Sequence, residues 1–111
     1  MHLLNISDEE LSVVKAILRH HLPTDCAVWV FGSRAKGTSH RYSDLDLLIK
    51  PKTSLSRANL ALMQEAFSES DLPFRVDPTC WKDMSEGFRK LIEKDLIPIA
   101  FTGSAFTGSG L

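Results

Sequence analysis

An almost continuous run of β-prone apolar residues, Cys26–Phe31, leads directly into Gly32 and Ser33. A run of this kind is typical of a strand that is buried on both faces of a sheet. A glycine immediately after a strand lets the backbone approach a ligand closely, and the N–H groups that follow can bind an anion. An ordinary strand that happens to end at a glycine gives the same pattern, so this feature alone leaves both interpretations open.

The rest of the chain alternates helical and strand-like patterns. Ser7 and Glu10 form a capping box before the first helical pattern, and Pro23 ends that helix. Pro51 and Pro78 each follow a short β-prone run, and both are expected to end a strand. The predicted elements are a helix to about His21, strands at 26–31, 44–49 and 74–77, a helix from Ser54 or Ser56 to about Phe67, and a helix at 84–96.

The last helical pattern, residues 84–96, is amphipathic. Its apolar residues have the 3.6-residue periodicity expected of one buried helix face. The positions predicted to be buried are Phe88, Leu91, Ile92 and Leu96.

The length of 111 residues suits one domain. We expect the packed domain to cover residues 1–100. Residues 101–111 repeat Phe-Thr-Gly-Ser, and their Gly, Ser and Thr content predicts a flexible tail.

Composition excludes several classes of protein. No apolar run approaches the ~20 residues of a membrane helix, and the first residues lack the basic region of a secretory signal, so we expect a cytoplasmic protein. The 2 cysteines form no disulfide framework or CxxC motif, and the 4 histidines show no metal-ligand pattern. A net charge of −1 argues against strong direct binding to nucleic acid, which depends on clusters of Lys and Arg.

The segment that follows the first strand, Gly32–Gly37, carries groups that suit phosphate oxygens. These groups are the hydroxyl of Ser33 and the charges of Arg34 and Lys36. The segment matches neither the P-loop pattern nor the dinucleotide fingerprint. Solvated charges after an ordinary strand are the alternative.

Three aspartates follow in strand-like contexts. Asp44 and Asp46 are two residues apart, so alternation along a strand places both carboxylates on one face, about 7 Å apart. Two such carboxylates repel each other unless a cation lies between them, and Mg²⁺ is the natural partner. Asp77, on the third predicted strand, could complete a metal site and act as a general base. The alternatives are a solvated sheet edge for the first two and a turn for Asp77.

The order of these motifs resembles the signature of the DNA polymerase β-like nucleotidyltransferase superfamily. That signature is Gly-Ser, a spacer, Asp-x-Asp and a later Asp. The stretches Phe31–Gly37 and Tyr42–Leu47 are similar to its minimal nucleotidyltransferase branch, and the resemblance covers about residues 7–97. It implies an α/β (α+β) fold, with a small mixed sheet of about three strands flanked by about four helices.

The resemblance also implies the chemistry of the site. In this superfamily the Asp-x-Asp carboxylates hold two magnesium ions that bridge the nucleotide phosphates and the acceptor. The implied catalytic and metal-binding residues are Asp44, Asp46 and Asp77. The residues implied around the phosphates of ATP are Gly32 and Ser33, with Arg34 and Lys36 as supporting cations.

The minimal branch commonly occurs in pairs with a HEPN-domain toxin, and some members transfer AMP from ATP to a tyrosine of that toxin. The resemblance therefore implies an Mg²⁺-dependent antitoxin enzyme in a hetero-oligomer, since larger members carry an extra acceptor domain that a 111-residue chain lacks. A nucleotide-binding antitoxin that inhibits by occlusion is the alternative. Transfer to a small molecule or an RNA end is a third hypothesis.

Overall fold

The computed structural model describes residues 5–52 and 54–101. Two short 3₁₀ helices, Trp81–Asp83 and Glu93–Asp95, flank the last α-helix. In the described part of the chain, no helix is both long and apolar enough to cross a membrane. The helices and strands are α1 (Asp8–His21), β1 (Ala27–Phe31), α2 (Ser33–Lys36), β2 (Leu45–Lys50), α3 (Arg57–Ser68), β3 (Val76–Cys80), α4 (Glu86–Ile92) and β4 (Ile97–Pro98).

The strands form one mixed sheet in the order β3-β2-β1-β4. The β2–β3 pair is parallel, whereas β1 pairs antiparallel with both β2 and β4. The predicted mixed α/β fold is confirmed. The sheet has four strands where about three were expected, because β4 is only two residues long and contains Pro98, which leaves no strand pattern to read.

The first and third helices begin at the residues that their capping signals indicate. The Ser7 hydroxyl accepts a hydrogen bond from the Glu10 amide, and the Glu10 carboxylate accepts one from the Ser7 amide, both at 3.0 Å. Of the two candidate caps for α3, Ser56 is the one used, since its hydroxyl accepts from the Asn59 amide at 3.0 Å. These side chains satisfy amides that the helices leave without partners.

Helices cover the two faces of the sheet unequally. Residues of α1 and α3, including Leu18 and Met63, form the main core with alternate residues of the central strands. A smaller cluster of Phe31, Leu48, Met84 and Ile92 lies on the other face. The strand β1 was predicted to be buried on both faces. It is buried on the face of the main core, but Trp29 on the other face is only half-buried.

The sequence predicted that Pro78 would end the third strand, and this prediction was wrong. It lies inside β3, directly beside Leu47 of β2. A proline cannot donate to a strand ladder, but β3 is an edge strand, where a missing donor is tolerated. The strand also begins later than predicted, at Val76 rather than Phe74.

The prediction for the last helix was wrong in length and in part of its burial. The helix α4 covers only Glu86–Ile92, after which the chain tightens into a 3₁₀ turn. Ile92 is buried, but Phe88 is 38% exposed and Leu91 is 66% exposed. Among residues 5–52 and 54–101, one short α-helix covers this face, and its outer apolar side chains have no further layer to pack against.

Phe101, the first residue of the predicted tail, is part of the main core. Its side chain is only 3% exposed, and its carbonyl oxygen accepts a hydrogen bond of 3.3 Å from Nη1 of Arg19. The packed domain therefore extends to residue 101. The remainder of the predicted tail, 102–111, lies outside the described residues.

Candidate active site

Asp46 and Asp77 are direct neighbours on the parallel strands β2 and β3. Residues paired in this way point to the same face of a sheet, so their carboxylates share one side. Asp44 was predicted on the second strand but lies just before its first residue, Leu45, where it is exposed. The structure therefore brings Asp46 and Asp77 together, whereas Asp44 lies outside the strand and is exposed to solvent.

Negative charge is concentrated around Asp46. Burial, and to a lesser extent the nearby charges of Asp77 and Asp44, raise the pKa of its carboxyl from 3.8 to about 6. Like-charged groups at short range disfavour each other's ionised forms. The charges of Asp77 and Asp44 thus act on Asp46, and a cation would relieve that repulsion.

The carboxylates have the chemistry that a magnesium ion requires. Mg²⁺ takes oxygen ligands and commonly combines one or two carboxylates with substrate phosphates and water. Asp46 and Asp77, with Asp44 beside them, are the residues that would hold it. Within residues 5–52 and 54–101, no group of three or more His, Cys, Asp or Glu side chains is placed so that it could hold a metal ion, so the three predicted aspartates do not form such a group.

Gly32 lies against the Asp46 carboxylate. Its φ angle is +80°, and a Cβ placed on it would stand 2.5 Å from Oδ2 of Asp46. The antiparallel register explains this closeness, since the preceding Phe31 pairs with Asp46 across β1 and β2. Only glycine has both the backbone freedom and the absence of a side chain that this position needs.

The chain after Gly32 makes a single helical turn, α2. The carbonyl oxygen of Gly32 accepts hydrogen bonds from the amides of Ala35 and Lys36, at 3.1 and 3.2 Å. Gly37 ends the turn with a φ of +77°. The first amides of a helix have no partner within it, so the start of α2, at Ser33, presents donors near Asp46.

Arg34 does not face the site, contrary to its predicted role as a phosphate-binding cation. It is only 2% exposed, and its guanidinium group lies 4.1 Å from the centre of the Phe74 ring. A buried guanidinium satisfies its donors on nearby acceptors, and here they are backbone carbonyl oxygens. Those carbonyls belong to Asn5, His40, Arg41 and Ser43. Arg34 therefore fixes the loop that carries the chain to Asp44.

A cleft of about 330 Å³ opens beside Asp46. Gly32, Lys36 and Asp46 line one part of it, which brings three of the predicted site residues together. The sequence did not predict the rest of the lining, because α4 was taken to be a buried helix. The further lining residues are Phe31, Phe88, Leu91, Ile92, Lys94 and Asp95.

Residues 11–103 match the family model of the nucleotidyltransferase domain. The chain belongs to the nucleotidyltransferase domain family. The resemblance seen in the Gly-Ser and Asp-x-Asp motifs is thereby confirmed, and this nucleotidyltransferase is an enzyme of the transferase class.

Known proteins similar to this nucleotidyltransferase agree with that assignment. It is 49% identical over 96 residues to "Probable protein adenylyltransferase MntA" of Haemophilus influenzae, covering 86% of this chain and 83% of the relative. A crystal structure of a toxin-antitoxin with AMP-PNP has a TM-score of 0.67 at 22% identity, over 79% of this chain and 70% of the other. A Sulfolobus solfataricus protein described as a nucleotidyltransferase has a TM-score of 0.52 at 24% identity, over 87% and 85%. The two structures support the fold.

Proposed function

We propose that this nucleotidyltransferase is an Mg²⁺-dependent antitoxin that transfers AMP from ATP to a HEPN-domain toxin in the cytoplasm. The observation that carries the proposal is the contact of Gly32 with Asp46, beside Asp77. It places a glycine turn that suits phosphates directly against a pair of carboxylates that suits a divalent cation. The similar Haemophilus influenzae protein bears the name of a protein adenylyltransferase, which supports AMP as the transferred group and protein as the acceptor.

The reaction is a displacement at the α-phosphorus of ATP. A hydroxyl oxygen of the partner, on a tyrosine in our proposal, forms a bond to that phosphorus. The bond to the bridging oxygen of the β-phosphate breaks, and pyrophosphate leaves. Asp77 accepts the hydroxyl proton from its position beside Asp46. Bound magnesium would supply charge that activates the attacking oxygen and stabilises the departing pyrophosphate.

The remaining residues of the site position the nucleotide. The amides at the start of α2 and the Ser33 hydroxyl hold the β- and γ-phosphates next to Gly32, and Lys36 adds a cation from the wall of the cleft. Arg34 acts indirectly, because its buried guanidinium holds the loop before Asp44. The protein thus contributes mainly position and charge, as phosphoryl transfer requires.

Reconstitution with the partner tests the proposal. The purified chain is mixed with a HEPN-domain protein, MgCl₂ and ATP labelled at the α-phosphate, and both label on the partner and its ribonuclease activity are followed. We expect label to appear on the partner and ribonuclease activity to fall in parallel. Asp46→Asn is expected to abolish both changes, whereas Leu62→Ala, on an exposed position of α3, leaves them intact.

The same experiment separates the two other hypotheses. If the Asp46→Asn variant still neutralises the partner without transferring label, the protein inhibits by occlusion and the proposed catalytic role is wrong. A parallel reaction with an aminoglycoside or transfer RNA replaces the protein partner. Label on either of these in the absence of a partner protein would identify a different acceptor.

A further inference from the structure

The cleft beside Asp46 has an apolar wall made by two exposed side chains of α4. Phe88 and Leu91 are 38% and 66% exposed, and both line the cleft that begins at Gly32 and Asp46. They are three positions apart on the helix, so they lie side by side on one face. Large apolar groups exposed in a concave site beside reactive groups are typical of ligand contacts.

The position of the Phe88 ring is fixed relative to the reactive groups. It packs edge-to-face against Phe31, with 5.8 Å between ring centres and 80° between ring planes. Phe31 is the last residue of β1 and precedes Gly32 directly. The apolar wall therefore adjoins the glycine turn, and the Phe88 side chain is 38% exposed beside it.

Charged side chains also line this cleft. Lys36 and Lys94 line it together with Asp95, and both lysines are exposed, so their ammonium groups can reach phosphate oxygens. Asp46 marks the end where a divalent cation would bind. A ligand that carries both phosphate groups and a flat apolar group matches this combination of side chains.

We infer that Phe88 and Leu91 hold the base of the bound nucleoside triphosphate and that Lys94 assists Lys36 at its phosphates. This inference rests on the proposed function, because the phosphates must lie at Gly32 for the base to reach α4. Stacking on an aromatic ring tolerates any base, since every base has a flat π-face. The cleft thus positions the nucleoside without itself selecting adenine.

Binding measurements with two ligands test this inference apart from catalysis. The affinities of the parent chain and its variants for ATP and for inorganic tripolyphosphate are measured by calorimetry with Mg²⁺ present. Loss of stacking in Phe88→Ala is expected to weaken ATP binding about 10-fold and to leave tripolyphosphate binding unchanged. Phe88→Trp is expected to retain ATP affinity and to show quenching of tryptophan fluorescence by ATP. Lys94→Ala should weaken both ligands.

Two more variants keep the test decisive. Leu91→Ala alters a side chain that is 66% exposed and should weaken ATP alone even if Phe88→Ala fails to fold. Leu62→Ala is the matched control, since Leu62 is 53% exposed on α3.

Each contrary result has a separate meaning. Unchanged ATP affinity in Phe88→Ala and Leu91→Ala overturns the inference, and weaker binding of the partner protein in the same variants would assign the wall to that partner. Equal weakening of ATP and tripolyphosphate by Phe88→Ala would also overturn it. Tight ATP binding by a parent chain that transfers no AMP would instead contradict only the proposed function.

Discussion

Gly32 and Asp46 are in such close contact that a Cβ at position 32 would lie 2.5 Å from Oδ2 of Asp46. The contact joins the turn after β1 to the carboxylate of β2, two elements that adjoin in the antiparallel pair. The predicted phosphate-binding turn is therefore in direct contact with the predicted metal ligand. A side chain added at position 32 would therefore displace the Asp46 carboxylate.

Gly32→Ala should inactivate the protein through this contact. The added methyl group would displace the Asp46 carboxylate, and the backbone at φ +80° and ψ −157° is a conformation that is essentially restricted to glycine. We expect AMP transfer to fall by at least about 100-fold, since small displacements of reacting groups can have effects of that size. Transfer is measured with labelled ATP, and folding is checked by circular dichroism.

Gly37→Ala is the matched control for this variant. Gly37 also has a positive φ, +77°, but no atom of the part of the chain that the structure describes lies within 4 Å of a Cβ placed there. We expect a loss of about 1–2 kcal/mol in the free energy of unfolding, with catalysis retained. If both variants lose activity equally, backbone strain rather than contact with Asp46 is responsible.

Asp46→Asn should change how stability depends on pH. The pKa of Asp46 is raised from 3.8 to about 6 in the folded chain, chiefly by burial and then by Asp77 and Asp44. Its contribution to stability is therefore fully present below pH 3.8 and is lost as pH rises through about 6. In metal-free buffer, the free energy of unfolding of the parent relative to the Asn variant should decrease over this range. Urea denaturation at several pH values measures this difference, and parallel curves would contradict the prediction.

Arg34→Ala should destabilise the fold rather than only weaken nucleotide binding. Removal of the guanidinium leaves carbonyl oxygens in the buried loop without their donors, and we expect a loss of about 3 kcal/mol. Arg34→Lys should restore little, because one ammonium group cannot span the same acceptors. Arg41→Ala is the control, since that arginine is exposed in the same loop. If Arg34→Ala has normal stability but has lost ATP affinity, the prediction is wrong and Arg34 binds phosphate.

Phe101→Ala should reveal that the domain continues into the segment predicted as a tail. The ring is 3% exposed in the main core, so its removal should lower the free energy of unfolding by about 3–5 kcal/mol. Phe88→Ala, which truncates a ring that is 38% exposed, is expected to have a much smaller effect. Urea denaturation of the two variants provides the comparison, and a parent-like transition for Phe101→Ala would contradict the prediction.

Local signals in the sequence correctly predicted the elements that depend on neighbouring residues. The capping box at Ser7 and Glu10 started α1 as expected, and the apolar run before Gly32 formed β1. These features could be read directly because caps and periodicity act over a few residues. The prediction for Pro78 was wrong because it depended on distant residues. A strand tolerates a proline when it lies at a sheet edge, and the local sequence does not show whether β3 is an edge strand.

The sequence by itself determined the family, the order of the longer helices and strands, and the presence of a glycine turn and three aspartates. Only the tertiary structure decided which of those residues meet. Strand pairing placed Asp46 beside Asp77 and against Gly32, and burial turned Arg34 from a candidate phosphate ligand into a support for the loop. The tertiary structure also leaves Phe88 and Leu91 exposed beside the site, although their spacing predicted burial. The physical reason is that periodicity shows which side chains share a face, whereas the number of layers packed on that face decides whether they are covered.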